Sequence, residues 1–161
     1  MADAKDGNDC FSNVYEQYAQ MLFKVAYLFV GNPHDAEDIL QDVFMKRLYK
    51  APPFQNADHE KAWLLRVAIN ASKNILKSRK RFIAFDEATL QGQAQTYDNS
   101  TIYEILRLPL KYKAAIHLHY YEGYSVREIA HILQISQSAV KMRLARARDI
   151  LKFQLGGQNN E

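Results

Sequence analysis

The sequence predicts an all-α protein made of two small helical domains joined by a flexible linker. Apolar residues recur at helical spacing through most of the 161 residues. Glycine and proline are scarce, with six and four residues, which argues against a loop-rich or all-β design. Residues 83–100 lose the helical periodicity and gain Gln, Asp, Asn and Gly, a composition typical of linkers.

The first two helices are predicted from apolar stripes and from the residues that end them. The first stripe consists of Val14, Tyr18, Met21, Leu22, Val25 and Leu28. Gly31-Asn32-Pro33 ends this helix, and Pro33 with three early acids suits the start of the next one. The predicted inner face of the second helix consists of Ala36, Ile39, Leu40, Val43, Phe44 and Leu48.

A third helix is predicted after the chain break at Pro52-Pro53, because two prolines cannot continue a helix. It spans residues 60–82, and its apolar positions include Trp63, Val67, Ile75 and Leu76. Helices resume after the linker, in residues 101–123.

Residues 125–152 predict a helix-turn-helix. Ser125 and Glu128 have the spacing of a capping box, and Ser136 can cap a second, longer helix after a short turn. The apolar stripe of that second helix is Val140, Leu144, Ala147 and Leu151. Its opposite side carries Ser138, Met142, Ala145 and Asp149, flanked by Lys141, Arg148 and Lys152 on one edge and by Arg143 and Arg146 on the other. Small central residues between flanking cations suit a helix that lies in the major groove of DNA.

Charge is unevenly distributed along the chain. Residues 1–60 hold ten acids and five bases, whereas residues 61–85 hold seven bases and no acid. This asymmetry predicts two partners, of which one is polyanionic. Cys10 is the only cysteine, so an intrachain disulfide is excluded, and a polar N-terminus without a long apolar run predicts a cytoplasmic protein that does not insert into membranes.

Three segments, in this order, resemble the defining segments of the extracytoplasmic-function (ECF) sigma factors, the promoter-specificity subunits of bacterial RNA polymerase. They are "DAEDILQDVFMKRLYK", "KAWLLRVAINASKNILKSRKR" and the stretch from "LRLPLKYKAAIHLHYYEG" to "LARARDIL". The resemblance implies an N-terminal domain at 12–82, a linker at 83–101 and a C-terminal helix-turn-helix domain at 102–153. It implies as partners core RNA polymerase, through its beta-prime and beta subunits, promoter DNA, and an anti-sigma factor.

The resemblance also implies roles for particular residues. The second helix is expected to dock on the beta-prime subunit through Asp35, Glu37, Asp38, Gln41 and Asp42. The third helix is expected to melt and read the minus-ten promoter element. Phe54, in the loop before this helix, and Asn70 and Asn74 are expected to contact an unstacked base of this element. The residues expected to contact its phosphates are Lys73, Lys77, Arg79, Lys80 and Arg81.

The C-terminal helix is expected to bind the minus-thirty-five element. The readers implied by the family fall on Lys141, Met142, Ala145 and Arg146, and Ser138, Arg143 and Arg148 adjoin them. Ala139 stands where the family usually has Thr, and Met142 stands where a small polar residue is usual, which leaves the promoter sequence open.

Two other classes of protein explain less of the sequence. Glu128 and His131 match one Glu-x-x-His half of a di-iron site, but no second such pair exists in the sequence, so neither a metal, a cofactor nor an enzymatic activity is expected. A helix-turn-helix repressor would explain the C-terminus but not the acidic second helix or the long basic third helix.

Overall fold

The computed structural model describes the backbone of residues 3–78 and 105–156 and the side chains of residues 11–78 and 105–152. Every regular element in these ranges is helical, as predicted: α1 (Asp3–Val30), α2 (Pro33–Lys50), α3 (Ala57–Ser78), α4 (Leu110–Ile116), α5 (Val126–Leu133) and α6 (Gln137–Gly156). A π-helical turn, His117–Tyr121, continues α4. The chain divides into two compact units between Ile83 and Ala84. The predicted linker at 83–101 lies outside the described residues.

The first unit is a three-helix assembly in which α1, α2 and α3 pack pairwise. Its core contains fully buried side chains from all three helices: Leu22, Val25 and Phe29 of α1, Ile39 and Val43 of α2, and Leu64, Leu65 and Ile69 of α3. Tyr18 joins this core, and burial, followed by the nearby carboxylates of Glu60 and Asp58, raises the pKa of its hydroxyl. Burial of these large apolar side chains is the main force that holds the three helices together.

The junction between α1 and α2 is a tight turn built from local chemistry. Gly31 has φ of 78°, a left-handed conformation that a glycine adopts without steric cost, and its N–H donates to the Tyr27 carbonyl at 2.8 Å. Pro33 follows as the first residue of α2, as predicted. The turn therefore sets where α2 begins, and with it which residues of α2 face outward.

One detail of the predicted core is wrong. Leu48 was expected on the inner face of α2, but it is 50% exposed. For α3 the sequence analysis named apolar positions without assigning a core; these are half-buried, and the core is formed by Leu64, Leu65, Ala68 and Ile69. The reason is that α3 packs on α1 and α2 through a face shifted by about one residue from the stripe that contains Trp63 and Val67.

The second unit consists of α4 with its π-helical turn, α5 and α6, and α6 packs on both α4 and α5. Leu118, Ile129, Ile132 and Val140 are fully or almost fully buried in its core. Lys113 is also buried, at 4% exposed, and the loss of hydration lowers the pKa of its ammonium group to about 8. A lysine with a lowered pKa in this core predicts that the stability of the unit depends on pH.

The helices in the described parts of the chain are amphipathic rather than apolar throughout. None of them has the length and the hydropathy that a membrane span requires.

Candidate nucleic-acid interfaces

One side of α2 presents an acidic surface to solvent. We define this acidic surface by Glu37, Asp38, Gln41 and Asp42, all of which are exposed. Asp42 accepts an ion pair from Lys46 at 3.1 Å, but both side chains keep large exposed fractions, so the pair leaves the carboxylate accessible. The structure therefore leaves four polar side chains on two successive turns of one helix open to solvent.

Asp35, predicted to belong to the same surface, lies elsewhere. Asp35 is only 2% exposed, and its carboxylate Oδ2 accepts a hydrogen bond from Asn32 Nδ2 at 2.6 Å. The backbone N–H of Asp35 in turn donates to Asn32 Oδ1 at 2.8 Å. Asp35 therefore fixes the start of α2 and does not present its carboxylate to a partner.

The acidic surface continues into an apolar extension that the sequence analysis missed. We define the apolar extension by Met45, Leu48 and Tyr49, which are 54%, 50% and 72% exposed. Asp38, Met45 and Tyr49 follow one another at helical spacing on the same side of α2. Polar side chains beside exposed apolar ones are typical of protein interfaces, where the apolar part supplies most of the affinity. The helical spacing of Asp38, Met45 and Tyr49 was visible in the sequence and could have indicated this extension, but Leu48 was expected in the core.

His34, Asp35 and Asp38 come close enough to be considered as metal ligands. One potential ligand atom from each lies within 4.8 Å of the others. However, the Asp35 carboxylate already accepts a hydrogen bond from Asn32, and the His34 side chain is 83% exposed. The geometry is that of a capped helix start with a histidine beside it, and it provides no enclosed coordination shell.

One side of α3 carries aromatic, amide and cationic side chains in succession. Trp63 and Val67 are half-buried, and Asn70, Asn74 and Lys77 are exposed at helical spacing after them. Lys73, also predicted to contact DNA, is half-buried at the edge of this face. Arg79, Lys80 and Arg81 lie outside the described residues.

An ordered loop lies beside the aromatic end of this face. Phe54, in the loop between α2 and α3, is half-buried, and its ring lies edge-on to Trp63 with a centroid distance of 5.6 Å. The structure thus brings Phe54 and Trp63 into contact. Amides on a helix near partly exposed aromatic rings can hydrogen-bond to a base edge while a ring stacks on the base.

The helix-turn-helix is built from the predicted caps. Ser125 Oγ accepts from the Glu128 N–H at 3.2 Å, and Glu128 Oε2 accepts from the Ser125 N–H at 2.8 Å, which confirms the capping box. Ser136 Oγ accepts from the Ala139 N–H at 3.1 Å and starts α6. The turn between the helices contains Gln134 at φ of 56°, a left-handed residue that ends α5.

The residues predicted to contact DNA lie on the outward face of α6. Val140, Leu144 and Ala147 are buried against the rest of the unit, as expected. The side chains proposed to meet DNA point away from that core: Ser138, Lys141, Met142, Ala145, Arg146 and Arg148 are exposed, and Arg143 is half-buried. Met142 is 52% exposed at the centre of the face, so this position offers apolar contact and no hydrogen bond.

Two arginines of α6 are associated with tyrosines of the α4 segment. The pKa of the Tyr112 hydroxyl is lowered, chiefly by a hydrogen bond with the Arg146 guanidinium. Arg148 Nη1 donates to the Tyr120 hydroxyl at 3.1 Å. Arg148 also lines an open apolar pocket of about 340 Å³, together with Ile105, Ile116, Tyr120, Tyr121, Leu151 and Lys152. Arg146 and Arg148 thus lie on opposite edges of the exposed face of α6, each beside a tyrosine.

Comparison with known protein families gives two matches in succession. Residues 14–82 match the model of Sigma-70 region 2, and residues 102–151 match that of Sigma-70, region 4. The first match contains the acidic surface and the exposed face of α3. The second contains the helix-turn-helix.

Curated proteins and solved structures give concordant similarities. The chain is 29% identical to RNA polymerase sigma factor SigV of Bacillus subtilis, over 86% of each protein. It is 28% identical to ECF RNA polymerase sigma factor SigW of the same species, over 94% of this chain and 91% of the relative. Its fold is similar to that of the sigma factor RpoE in complex with the anti-sigma factor NepR from Bartonella quintana, with a TM-score of 0.74 and 23% identity over 94% of this chain and 98% of that one. CnrH in complex with the cytosolic domain of CnrY gives a TM-score of 0.69 at 24% identity, over 93% and 90% of the two chains.

Proposed function

The chain belongs to the extracytoplasmic-function family of RNA polymerase sigma factors, and from this premise we propose how its described surfaces direct promoter-specific transcription initiation. As an alternative sigma factor it binds core RNA polymerase and promoter DNA. The family consists of regulatory DNA-binding proteins, and in our proposal the chain performs no catalysis itself. The observation that carries the proposal is that one chain presents two different candidate DNA surfaces, amides beside aromatic rings on α3 and cations around small residues on α6.

The acidic surface and the apolar extension of α2 form the proposed docking site for the beta-prime subunit. Glu37, Asp38, Gln41 and Asp42 steer the encounter with a basic or polar partner, and Met45 and Tyr49 add apolar area. Asp35 is left out of this site because its carboxylate is buried and capped.

The exposed face of α3 is the proposed surface for the melted minus-ten element. Asn70 and Asn74 each offer an amide donor and an acceptor, which can pair with the edge of an unstacked base without the non-selective attraction of a charge. Phe54 offers a ring for stacking, and Lys73 and Lys77, with Arg79, Lys80 and Arg81 after them in the sequence, offer cations for the phosphates.

The outward face of α6 is the proposed surface for the minus-thirty-five element. Arg146 and Lys141 can reach guanine edges, and Ser138 and Ala145 let the helix approach the bases closely. Arg143 and Arg148 flank this centre and are proposed to contact phosphates. Met142 is proposed to make apolar contact, for example with a thymine methyl group.

The two DNA surfaces act together in this proposal. Each module alone binds its element weakly, and their connection in one chain raises the effective concentration of the second once the first is bound. Recognition therefore requires both elements at the correct spacing. An anti-sigma factor is a proposed further partner, because the similar sigma factor RpoE is described in a complex with the anti-sigma factor NepR. The proposed place of action is the cytoplasm, where bacterial RNA polymerase works.

Run-off transcription with purified bacterial core polymerase and a pool of random promoters tests this function. We expect start sites preceded by paired upstream and start-proximal motifs. Asn70→Ala should relax the start-proximal motif and Arg146→Ala the upstream one, whereas Asn13→Ala and Arg107→Ala, which change exposed residues outside both faces, should leave both motifs unchanged. Tight binding of duplex DNA by the chain alone, without polymerase-dependent initiation, would contradict the proposal in favour of a repressor.

A further inference from the structure

An ion pair connects the end of α2 to the start of α3 across the loop that carries Phe54. Arg47 Nη2 and Nε donate to the same oxygen, Oε2 of Glu60, at 2.6 and 2.9 Å. The two side chains are only 23% and 14% exposed. Because both partners of a mostly buried ion pair lose hydration, the pair by itself is weak evidence of a gain in stability.

The Arg47 guanidinium also covers the Phe54 ring. Its Cζ lies 5.0 Å from the ring centroid, within the range of a cation–π interaction. The same ring lies edge-on to Trp63 at 5.6 Å and to His59 at 5.3 Å between centroids. Phe54 is therefore held from α2 by a cation and from α3 by two aromatic rings.

The backbone of the loop is fixed to α3 as well. The Gln55 N–H donates to His59 Nδ1 at 3.2 Å, and the His59 N–H donates to Asn56 Oδ1 at 2.8 Å. Pro52 and Pro53 restrict the backbone dihedral angles on the other side of Phe54. The loop thus enters the binding surface with little conformational freedom left to lose.

We propose that Arg47, held by Glu60, is a positioning residue that fixes Phe54 against Trp63 and so pre-forms the wall of the pocket for the unstacked promoter base. This inference rests on the proposed function of α3. Arg47 does not act as a phosphate ligand, because its guanidinium is mostly buried and already occupied by Glu60 and Phe54. Its effect on DNA passes through the position of the Phe54 ring, and a wall that is fixed in advance reduces the ordering cost when the base enters.

Trp63 gives a direct readout in the free full-length chain, because it is the only tryptophan. Arg47→Met removes the charge and keeps much of the stem, and Glu60→Gln removes the partner charge with little change of shape. We expect both variants to increase acrylamide quenching of Trp63 fluorescence, with unchanged helix content by circular dichroism. Lys24→Met, which removes a half-buried cation of α1 that has no ion pair among the described residues, should leave the quenching unchanged.

Promoter opening by the reconstituted holoenzyme then separates a positioning role from a merely structural one. With 2-aminopurine in the start-proximal element, Arg47→Met should slow base capture by about 5- to 20-fold while binding of the upstream duplex element stays unchanged. In a Phe54→Ala background the same change should have little further effect, because the residue through which Arg47 acts is gone. Glu60→Gln should reproduce the defect, and it serves as the test if Arg47→Met fails to fold.

The outcomes distinguish this inference from the proposed function. Unchanged Trp63 quenching in both variants, or increased quenching with normal base capture, would overturn the positioning role of Arg47. A full additive defect of Arg47→Met in the Phe54→Ala background would also overturn it. If the wild-type holoenzyme captures no base, the proposed function is wrong, and the inference that rests on it is wrong with it.

Discussion

The Asn32 amide and the Asp35 carboxylate hydrogen-bond to each other at the first turn of α2, with Asn32 Nδ2 donating to Asp35 Oδ2 at 2.6 Å. The backbone N–H of Asp35 returns a bond to Asn32 Oδ1 at 2.8 Å. This reciprocal cap satisfies a backbone donor that a helix start leaves free, and it buries one acid of a segment in which the next acids remain exposed. Neighbouring carboxylates of one short segment therefore have different roles.

We expect Asp35→Ala to destabilise the first unit by about 1–2 kcal/mol, because the variant keeps the backbone N–H that Asn32 caps but removes the carboxylate that accepts from, and so orients, the Asn32 amide. Asp38→Ala, at an exposed position one turn later, should change the free energy of unfolding by less than about 0.5 kcal/mol. Urea unfolding of both variants measures this difference. Equal destabilisation by the two substitutions would contradict a structural role specific to Asp35.

The proposed docking surface on α2 predicts two separable effects on polymerase binding. Asp38→Lys combined with Asp42→Lys should weaken binding to core polymerase strongly at low salt and less at high salt, since salt screens exposed charges. Met45→Ala combined with Tyr49→Ala should weaken binding by about 10-fold or more at any salt, because the lost contact is apolar. Fluorescence anisotropy of labelled chain with core polymerase measures both.

Glu16→Lys is the matched control for these charge reversals, because Glu16 is an exposed acid on α1. Its binding should equal that of the wild type. If Glu16→Lys weakens binding as much as the α2 reversals do, the effect reflects net charge alone and the surface on α2 is not a specific docking site.

The parts of the fold that could be predicted from the sequence are those set by neighbouring residues. The predicted helix starts are confirmed: Ser125 and Glu128 form a capping box, Ser136 caps α6, and Pro33 begins α2. Capping and turn chemistry act over three or four residues, so the local sequence is enough to predict them. The periodicity of Val140, Leu144 and Ala147 also identified the buried side of α6. Each of these signals is contained within one or two helical turns.

The parts that could not be predicted depend on which helix packs where. Leu48 has an apolar side chain at a plausible core position, but α1 and α3 do not cover it, so it remains half exposed. The pairing of Arg47 with Glu60 joins two helices across a loop, and no local pattern distinguishes these residues from other surface charges. The family resemblance placed Asp35 among the docking residues of α2, whereas its carboxylate is buried and accepts a hydrogen bond from Asn32, the residue that caps the helix.

Lys113 predicts a pH dependence of the second unit. Its pKa is lowered to about 8 in the folded chain by burial, whereas an unfolded lysine has its ordinary value near 10.5. Between these two pH values the unfolded state binds more protons than the folded state, so stability should rise as the pH increases from about 8 to about 10.5. Below pH 8 this contribution is constant and unfavourable, by about 3 kcal/mol as an upper limit.

Lys113→Met should remove this pH dependence, while Lys111→Met at the adjacent exposed position should retain it. Amide hydrogen exchange of α4, α5 and α6 at pH 7.5 and pH 10 reports the stability of this unit separately from the first one. After correction for intrinsic exchange, the protection of these helices in the wild type should increase from pH 7.5 to pH 10 relative to that in Lys113→Met. The absence of this relative increase would contradict the effect of burial on Lys113.

The two arginines associated with tyrosines should affect DNA binding in different ways. In our proposal Arg146 reads a guanine edge from the face that α6 turns to DNA, so Arg146→Ala should cost about 1–3 kcal/mol on the preferred upstream element and much less on a scrambled duplex. Arg148 lies at the edge of that face, bonded to Tyr120, so Arg148→Ala should weaken both duplexes alike and reduce the salt slope of binding by about 1. Electrophoretic mobility shifts with holoenzyme at several salt concentrations measure both quantities.

Tyr120→Phe, which removes only the hydroxyl that accepts from Arg148, should shift affinity in the direction of Arg148→Ala by a smaller amount and leave the preference for the upstream element intact. If Arg148→Ala instead abolishes that preference, Arg148 reads bases and the division of roles between the two arginines is wrong.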